Sequence, residues 1–325
     1  METGRRAIKN QSSHAPSSIL PKALLGKSKL YAARALTAKA MKDSEVYQIW
    51  SALALELLGK AQLANIHPCL VVETDNTNSL LEACGIETNT IVKTIAANVV
   101  FARLKHTVDK FGTPHAEACK AISARRNAEL HSGQAAYIGM VDRDWEGQFW
   151  STAQLILASM DLELEDWVGH SSKMPGELAQ QFREIKFEAA KQRIANERLS
   201  FLAPGGKKRS KGEIEALRQN AATFQLLAAV RGFRYVLDHH WPVDCPACGC
   251  RSALGGDRIH EEVIDHDYET GFETVERFFS PAEFLCQTCG LRLEGAEEME
   301  AADFDTEYSE VDDREMEYEP DYGND

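Results

Sequence analysis

Between Asp43 and Pro68 the apolar residues Tyr47, Ile49, Trp50, Leu53, Leu57, Leu58 and Ala61 recur at mixed three- and four-residue steps, the repeat of a helix face. The stripe is wide, as in a helix central to a bundle, and Asp43 or Ser44 supplies a cap at its start. Residues 88–111, "TNTIVKTIAANVVFARLKHTVDKF", predict a second long helix. Thr113-Pro114 opens a third, which runs through "HAEACKAISARRNAELH" to a stop at Gly133. A fourth follows over 143–162, with Trp145, Phe149, Trp150, Ala153, Ile156 and Leu157 on its apolar side. Few segments before residue 170 alternate as strands do, so residues 29–170 predict a helical bundle.

Beyond this bundle the pattern changes twice. Residues 171–240 predict a helical connector, with one charged helix over 176–202 and another over 213–240. The break between them, "APGGKKRSKGE", carries Lys207, Lys208, Arg209 and Lys211, which suit either a nucleic-acid backbone or a solvated linker. Residues 241–293 hold two Cys-x2-Cys pairs, "DCPACGC" and "FLCQTCGL", separated by a stretch that reads as a β-hairpin. The expected fold is therefore mainly α, a helical bundle with a small C-terminal β-rich zinc ribbon.

The cysteine pairs carry specific chemistry. A two-residue spacer lets both sulfurs of a pair reach one ion, and Gly249 and Gly290 permit the backbone turn around it. Cys245, Cys248, Cys286 and Cys289 thus predict a tetrahedral Zn2+ site. Four protein ligands leave no open position, so the zinc is expected to be structural. Cys250, His260 and His266 are alternative ligands, more simply read as bystanders. The remaining Cys69, Cys84 and Cys119 are scattered singly among helical segments, where buried free thiols are common.

Composition adds two limits. The net charge of −14 is confined to the end of the chain, because residues 294–325 contain 15 Asp/Glu and one Arg. The body before it is neutral, which leaves a nucleic-acid partner open. That acidic strip predicts a disordered tail, and residues 1–28, mixing Ser, Pro and basic residues, predict a flexible basic arm. No apolar run reaches membrane-spanning length and no signal peptide is evident, so the expected location is cytoplasmic, with no membrane partner.

One stretch of the third helix, "SARRNAELHSG", sets Arg126 and Asn127 ahead of His131. Arg followed at this spacing by His arises by chance, as Arg234 and His239 show, but Asn directly after the Arg makes an accident rarer. Asn127 and His131 share a helix face, whereas Arg126 is about 140° away from His131 on a straight helix. A catalytic use would therefore need Arg126 to reach round, a helix irregularity, or a second subunit. Arg supplies a permanent charge for phosphate oxygens, His exchanges a proton near neutrality, and Asn fixes a tautomer or holds phosphate. The bland alternative makes Arg126 a surface or ion-paired helix residue and His131 a residue at the helix C-terminus, interacting with the macrodipole. Glu56 and Lys60, four apart on the early helix, could reach this site but read more simply as an ordinary surface pair.

"RRNAELHSG", with "LALELLGKAQL" on a long preceding helix, resembles the HEPN superfamily over roughly residues 30–170. The resemblance implies a helical, often dimeric, metal-independent endoribonuclease of toxin, antiphage-defence or CRISPR-associated type. Arg126 and His131 would be its catalytic pair and Asn127 the supporting polar residue. The implied partners are RNA, a second copy of the chain, and an antitoxin or other defence component. A nuclease-inactive adaptor binding nucleic acid or protein is the alternative, and a zinc-ribbon transcription regulator a third. Phe304, Tyr308, Tyr318 and Tyr322, spaced through the acidic strip, suggest an autoinhibitory RNA mimic, whose removal with residues 295–325 is expected to raise activity at low salt.

Overall fold

The computed structural model describes residues 15–223 and 226–316, which form two compact units dividing between Ile185 and Lys186. Helices occupy the first unit: α1 (Pro21–Ala40), α2 (Ser44–Ile66), α3 (Thr77–Ala83), α4 (Ala97–Leu104), α5 (Thr113–His131), α6 (Glu146–Ala158) and α7 (Leu164–Val168). The 30-residue α8 (Lys173–Leu202) runs across the division.

The early helix predicted from the apolar repeat is α2, capped by the Asp43 carboxylate, which accepts from the Val46 N–H at 3.1 Å. Buried residues occur all round it, from Tyr47 and Ala54 to Leu58 and Leu63, as its wide stripe requires. On α1 a stripe of small residues, Ser28, Ala32, Ala35 and Ala38, is buried. The Ser28 hydroxyl donates to the Ala54 carbonyl and accepts from the Trp167 indole, tying α1, α2 and α7 together. Tyr47, Trp145, Phe149, Trp150 and Trp167 form one chain of ring contacts through the core.

Two expectations for this unit need correction. The predicted flexible arm is ordered from Ala15: Ala15, Ile19, Leu24 and Ser28 are buried, so apolar burial fixes the segment that composition marked as loose. Residues 1–14 of that arm lie outside the described residues. The helix expected over 88–111 shrinks to α4. Its first part is β-branched and irregular, with Asn89 at φ 56° and a bridge pairing Thr94 with Val72.

Contact between α2 and α4 is close at Gly59. A Cβ there would meet Val100 Cγ1 at 2.7 Å and Leu104 Cδ1 at 3.0 Å. Gly59→Ala adds about 1 kcal/mol of helix propensity. Crowding against the stiff Val100 side chain costs about 1–3 kcal/mol. The expected net loss, about 1 kcal/mol, is measurable as a lower urea midpoint with an unchanged m-value.

In the second unit the rest of α8 is followed by α9 (Lys211–Ala222), α10 (Leu226–Val230), β1 (His239–Asp244), β2 (Arg251–Asp267), β3 (Phe272–Leu285), β4 (Arg292–Glu294), α11 (Ala296–Glu300) and β5 (Tyr308–Glu315). The sheet has the antiparallel order β1-β2-β3-β4, with β5 also antiparallel to β3. The expected hairpin is β2–β3. Its core gathers Ala190, Ile194 and Phe201 of α8 with Leu254, Phe284, Leu293 and Met299.

Residues 186–240 therefore belong to the same unit as the cysteine pairs rather than forming a separate connector. The helix expected over 213–240 stops at Ala222, resumes briefly as α10 and gives way to β1 at His239. The expectation of a disordered tail fails for residues 296–315, which supply α11 and β5. Met299 is 2% exposed, Phe304 packs on Phe284 at 5.2 Å between ring centroids, and Tyr308 stacks on Trp241 at 5.1 Å. These aromatic contacts give the strip the apolar burial that its charge count concealed. Tyr318 and Tyr322 lie outside the described residues.

Candidate functional site

The constellations expected from the sequence lie one in each unit. In the second, β1 leads into the turn Cys245–Cys248 and β3 into the turn Cys286–Cys289. The two turns repeat one hydrogen-bond pattern: Gly249 N–H donates to the Cys245 carbonyl and Gly290 N–H to that of Cys286, each at 2.9 Å. Both glycines have positive φ, 71° and 86°, the conformation glycine adopts without strain. The four sulfurs lie within 4.8 Å of one another, with Cys245 to Cys289 and Cys248 to Cys286 both at 3.6 Å. This arrangement can hold one metal ion.

Cys250 is fully buried but outside the sulfur cluster. His260 stacks on Phe278 and His266 lies 3.5 Å from Glu273, so both stand apart from it as well. Helix contacts brace the first turn. Arg218 of α9 donates to the Cys248 carbonyl at 3.1 Å and Arg198 of α8 to the Pro246 carbonyl at 2.6 Å. These two arginines escaped sequence reasoning because nothing in a helix's own pattern says which loop it will brace. Among the four cations of the basic break, Arg209 is tied down, stacking on Phe201 and donating to its carbonyl. Lys207, Lys208 and Lys211 are exposed.

The other constellation lies on α5 and α2. Asn127 and His131 are exposed on α5, which ends at His131. Ser132 closes the helix, its N–H and hydroxyl both donating to the Ala128 carbonyl. Arg126 points elsewhere: its guanidinium donates to Glu56 at 2.7 Å, and Glu56 also accepts from Lys60 at 2.9 Å. The Lys60 ammonium donates in addition to Thr94 Oγ1 at 3.1 Å. All three charged side chains are largely buried, at 13%, 14% and 9% exposure for Arg126, Glu56 and Lys60.

Beside them, burial pushes the Tyr137 phenol up to about 12 despite the nearby cations Arg125 and Arg126. The Arg126 Nε is buried and has no acceptor among the described residues. No hydrogen bond or ion pair among the described residues joins Arg126 to Asn127 or His131. The predicted trio is thus divided, with two members on an exposed face and the third anchored to α2. Glu56 and Lys60, expected as an ordinary surface pair, are instead largely buried because Glu56 also holds Arg126, and Thr94 was hidden in a segment read as helix. Two clefts, about 510 Å³ around Lys39, His170 and Met174 and about 410 Å³ around His239, Arg258 and Arg277, include none of the three residues.

Fold and site define a mainly helical chain whose C-terminal antiparallel sheet carries a four-cysteine cluster able to bind a metal. No protein family, no curated protein and no solved structure matches it. Among the described residues no helix is long and apolar enough to cross a membrane.

Proposed function

We propose that this chain is a metal-independent RNA endonuclease of the toxin or antiphage-defence type implied by its resemblance to the HEPN superfamily, acting in the cytoplasm, with a structural zinc ion on Cys245, Cys248, Cys286 and Cys289. The supporting observation is the exposed pair Asn127 and His131 at the end of α5, one residue on from an arginine held by an acidic residue of α2. His131 exchanges a proton with the reacting 2′-hydroxyl or the 5′-oxygen leaving group, and Asn127 orients the ring or the phosphate. Arg126, once released from Glu56, adds positive charge for the phosphorane oxygens. The bond from phosphorus to the 5′-oxygen breaks as that from the 2′-oxygen forms, giving a 2′,3′-cyclic phosphate and a 5′-hydroxyl.

Because Arg126 and His131 do not meet within one chain, the site is completed across a two-fold axis by a second copy. RNA is the substrate, and an antitoxin or other defence component the regulator. The engagement of Arg126 by Glu56 favours one alternative, a nuclease-inactive adaptor in which the pair is scaffolding and the exposed face binds nucleic acid or protein.

Incubating wild type and His131→Ala with mixed RNA separates these. EDTA is present only during the assay, so that exchangeable Mg2+ is removed while the buried thiolates keep their ion. The expected result is fragments with cyclic-phosphate ends, formed at least about 100-fold more slowly by the variant. Wild type that leaves RNA intact, or cleavage indifferent to His131, would overturn the nuclease and leave the adaptor.

A further inference from the structure

The first unit contains a pair of sulfurs of its own. Cys69 lies in the single 3-10 turn Pro68–Val71 after α2, and Cys84 caps the C-terminus of α3. Their Sγ atoms are 3.3 Å apart and both are free thiols. Cys84 is exposed and Cys69 half-buried, in contrast with Cys119, which is 1% exposed and closed off inside the core. No third His, Cys, Asp or Glu joins them in a metal-holding group among the described residues.

The two sulfurs face one another because the backbone around each is anchored. On one side Cys69 N–H donates to His67 Nδ1 at 3.2 Å, Arg103 donates to the Leu70 carbonyl at 2.6 Å, and Ile95 N–H donates to the Val71 carbonyl at 3.0 Å. On the other, Cys84 N–H donates to the carbonyls of Leu80 and Leu81, and Ser79 accepts from Lys93 N–H at 2.9 Å. Both segments lean on residues 93–95, so the sulfur pair is part of a built layer. The thiols are 15 residues apart in sequence and enclose α3.

We propose that Cys69 and Cys84 are a reversible dithiol–disulfide couple, a modification site whose oxidant is a small-molecule disulfide of the glutathione type. This inference does not rest on the ribonuclease reading. The exposed Cys84 thiolate attacks one sulfur of the small disulfide, whose S–S bond breaks and expels one small thiolate. Cys69 then loses its proton to water and attacks Cys84 Sγ, breaking the mixed disulfide and expelling the second small thiolate. Two protein thiols are oxidised and one small disulfide is reduced to two thiols.

Closure takes the sulfurs from 3.3 Å to the about 2.05 Å of a disulfide, a short approach for side chains already facing. Access assigns the order, since exchange begins at the sulfur a reagent can reach. Burial and the hydrogen bond with Cys84 push the Cys69 thiol up to about 11, which holds it back from attacking first.

The test uses the full chain with its metal bound, equilibrated with glutathione disulfide and reduced glutathione over a range of ratios, alkylated, digested and weighed. Peptides carrying Cys69 and Cys84 are expected to appear joined, lighter by two hydrogens, at oxidant ratios at least tenfold below any that modify Cys119. Excess reduced glutathione should restore both thiols. Cys69→Ser should arrest at the mixed disulfide on Cys84, while Cys84→Ser should leave Cys69 unmodified at the same ratios. Independent alkylation of both cysteines at every ratio, a persistent mixed disulfide in wild type, or a bond from either cysteine to another copy would overturn the proposal.

Discussion

Cys248→Ser is expected to abolish metal binding by the four-cysteine cluster and unfold the sheet of the second unit while leaving the helices of the first intact. The core of that unit includes Cys245, Cys248, Cys250 and Cys286 among its buried residues, so the sulfur cluster lies inside the packing rather than at its edge. Without an ion, four thiols in van der Waals reach of one another replace the bonds that close both turns. Structural zinc contributes about 10–16 kcal/mol in small domains, comparable with or above the whole stability of an ordinary one, about 5–15 kcal/mol.

Limited proteolysis should then cut within residues 239–315, and metal content should fall from one ion per chain to none. Cys250→Ser is the matched control. It buries a hydroxyl where a thiol was, costing about 1–3 kcal/mol, and should keep its metal. Equal metal loss in both variants would mean that the four-sulfur assignment is wrong.

Glu56→Ala is the second large effect, here on the first unit. One carboxylate faces two cations, Arg126 at 2.7 Å and Lys60 at 2.9 Å, and none of the three side chains exceeds 14% exposure. Removing it strands both cations where water reaches them poorly, beside an Arg126 Nε that already has no acceptor among the described residues. Breaking a buried pair costs about 3–5 kcal/mol, and the residual exposure places the expected loss near the bottom of that range, at about 3 kcal/mol. Urea denaturation reads it directly. Arg126→Met in the same background should recover part of the loss, because the stranded guanidinium is then gone. Strict additivity of the two substitutions would show that the pair is not coupled.

How much of this was legible in the sequence depended on whether the signal was local. The turns around Cys245 and Cys286 were readable because spacing and the following glycine determine their geometry within six residues. The apolar repeat of α2 likewise located the central helix. Residues 88–96 misled because Ile91, Val92, Ile95 and Ala96 lead into the apolar repeat of α4, yet Thr88, Thr90, Ile91, Val92 and Thr94 are β-branched, and Thr94 pairs with Val72.

The acidic strip misled for another reason. Composition averaged over 294–325 hid Met299, and Phe304 and Tyr308, noticed but read as stand-ins for bases, instead pack on the distant partners Phe284 and Trp241. At α5 the helical repeat correctly set Arg126 apart from Asn127 and His131. Its acceptor, Glu56, is 70 residues away, and only the packing of α2 against α5 could choose it from the other acids.

The pairing of β5 with β3 bears on how fragments of this protein should be cut. A chain ended at Glu294 would uncover the edge of β3 from Phe272 to Phe279, eight positions now matched by Tyr308–Glu315. It would also remove Arg314, which pairs with Glu261 and Glu273, leaving two acids near one another on the uncovered strands. An open edge of this length is a template for joining other chains. Such a fragment would cloud on concentration, and any gain or loss of activity in it would report aggregation rather than the release of an inhibitor.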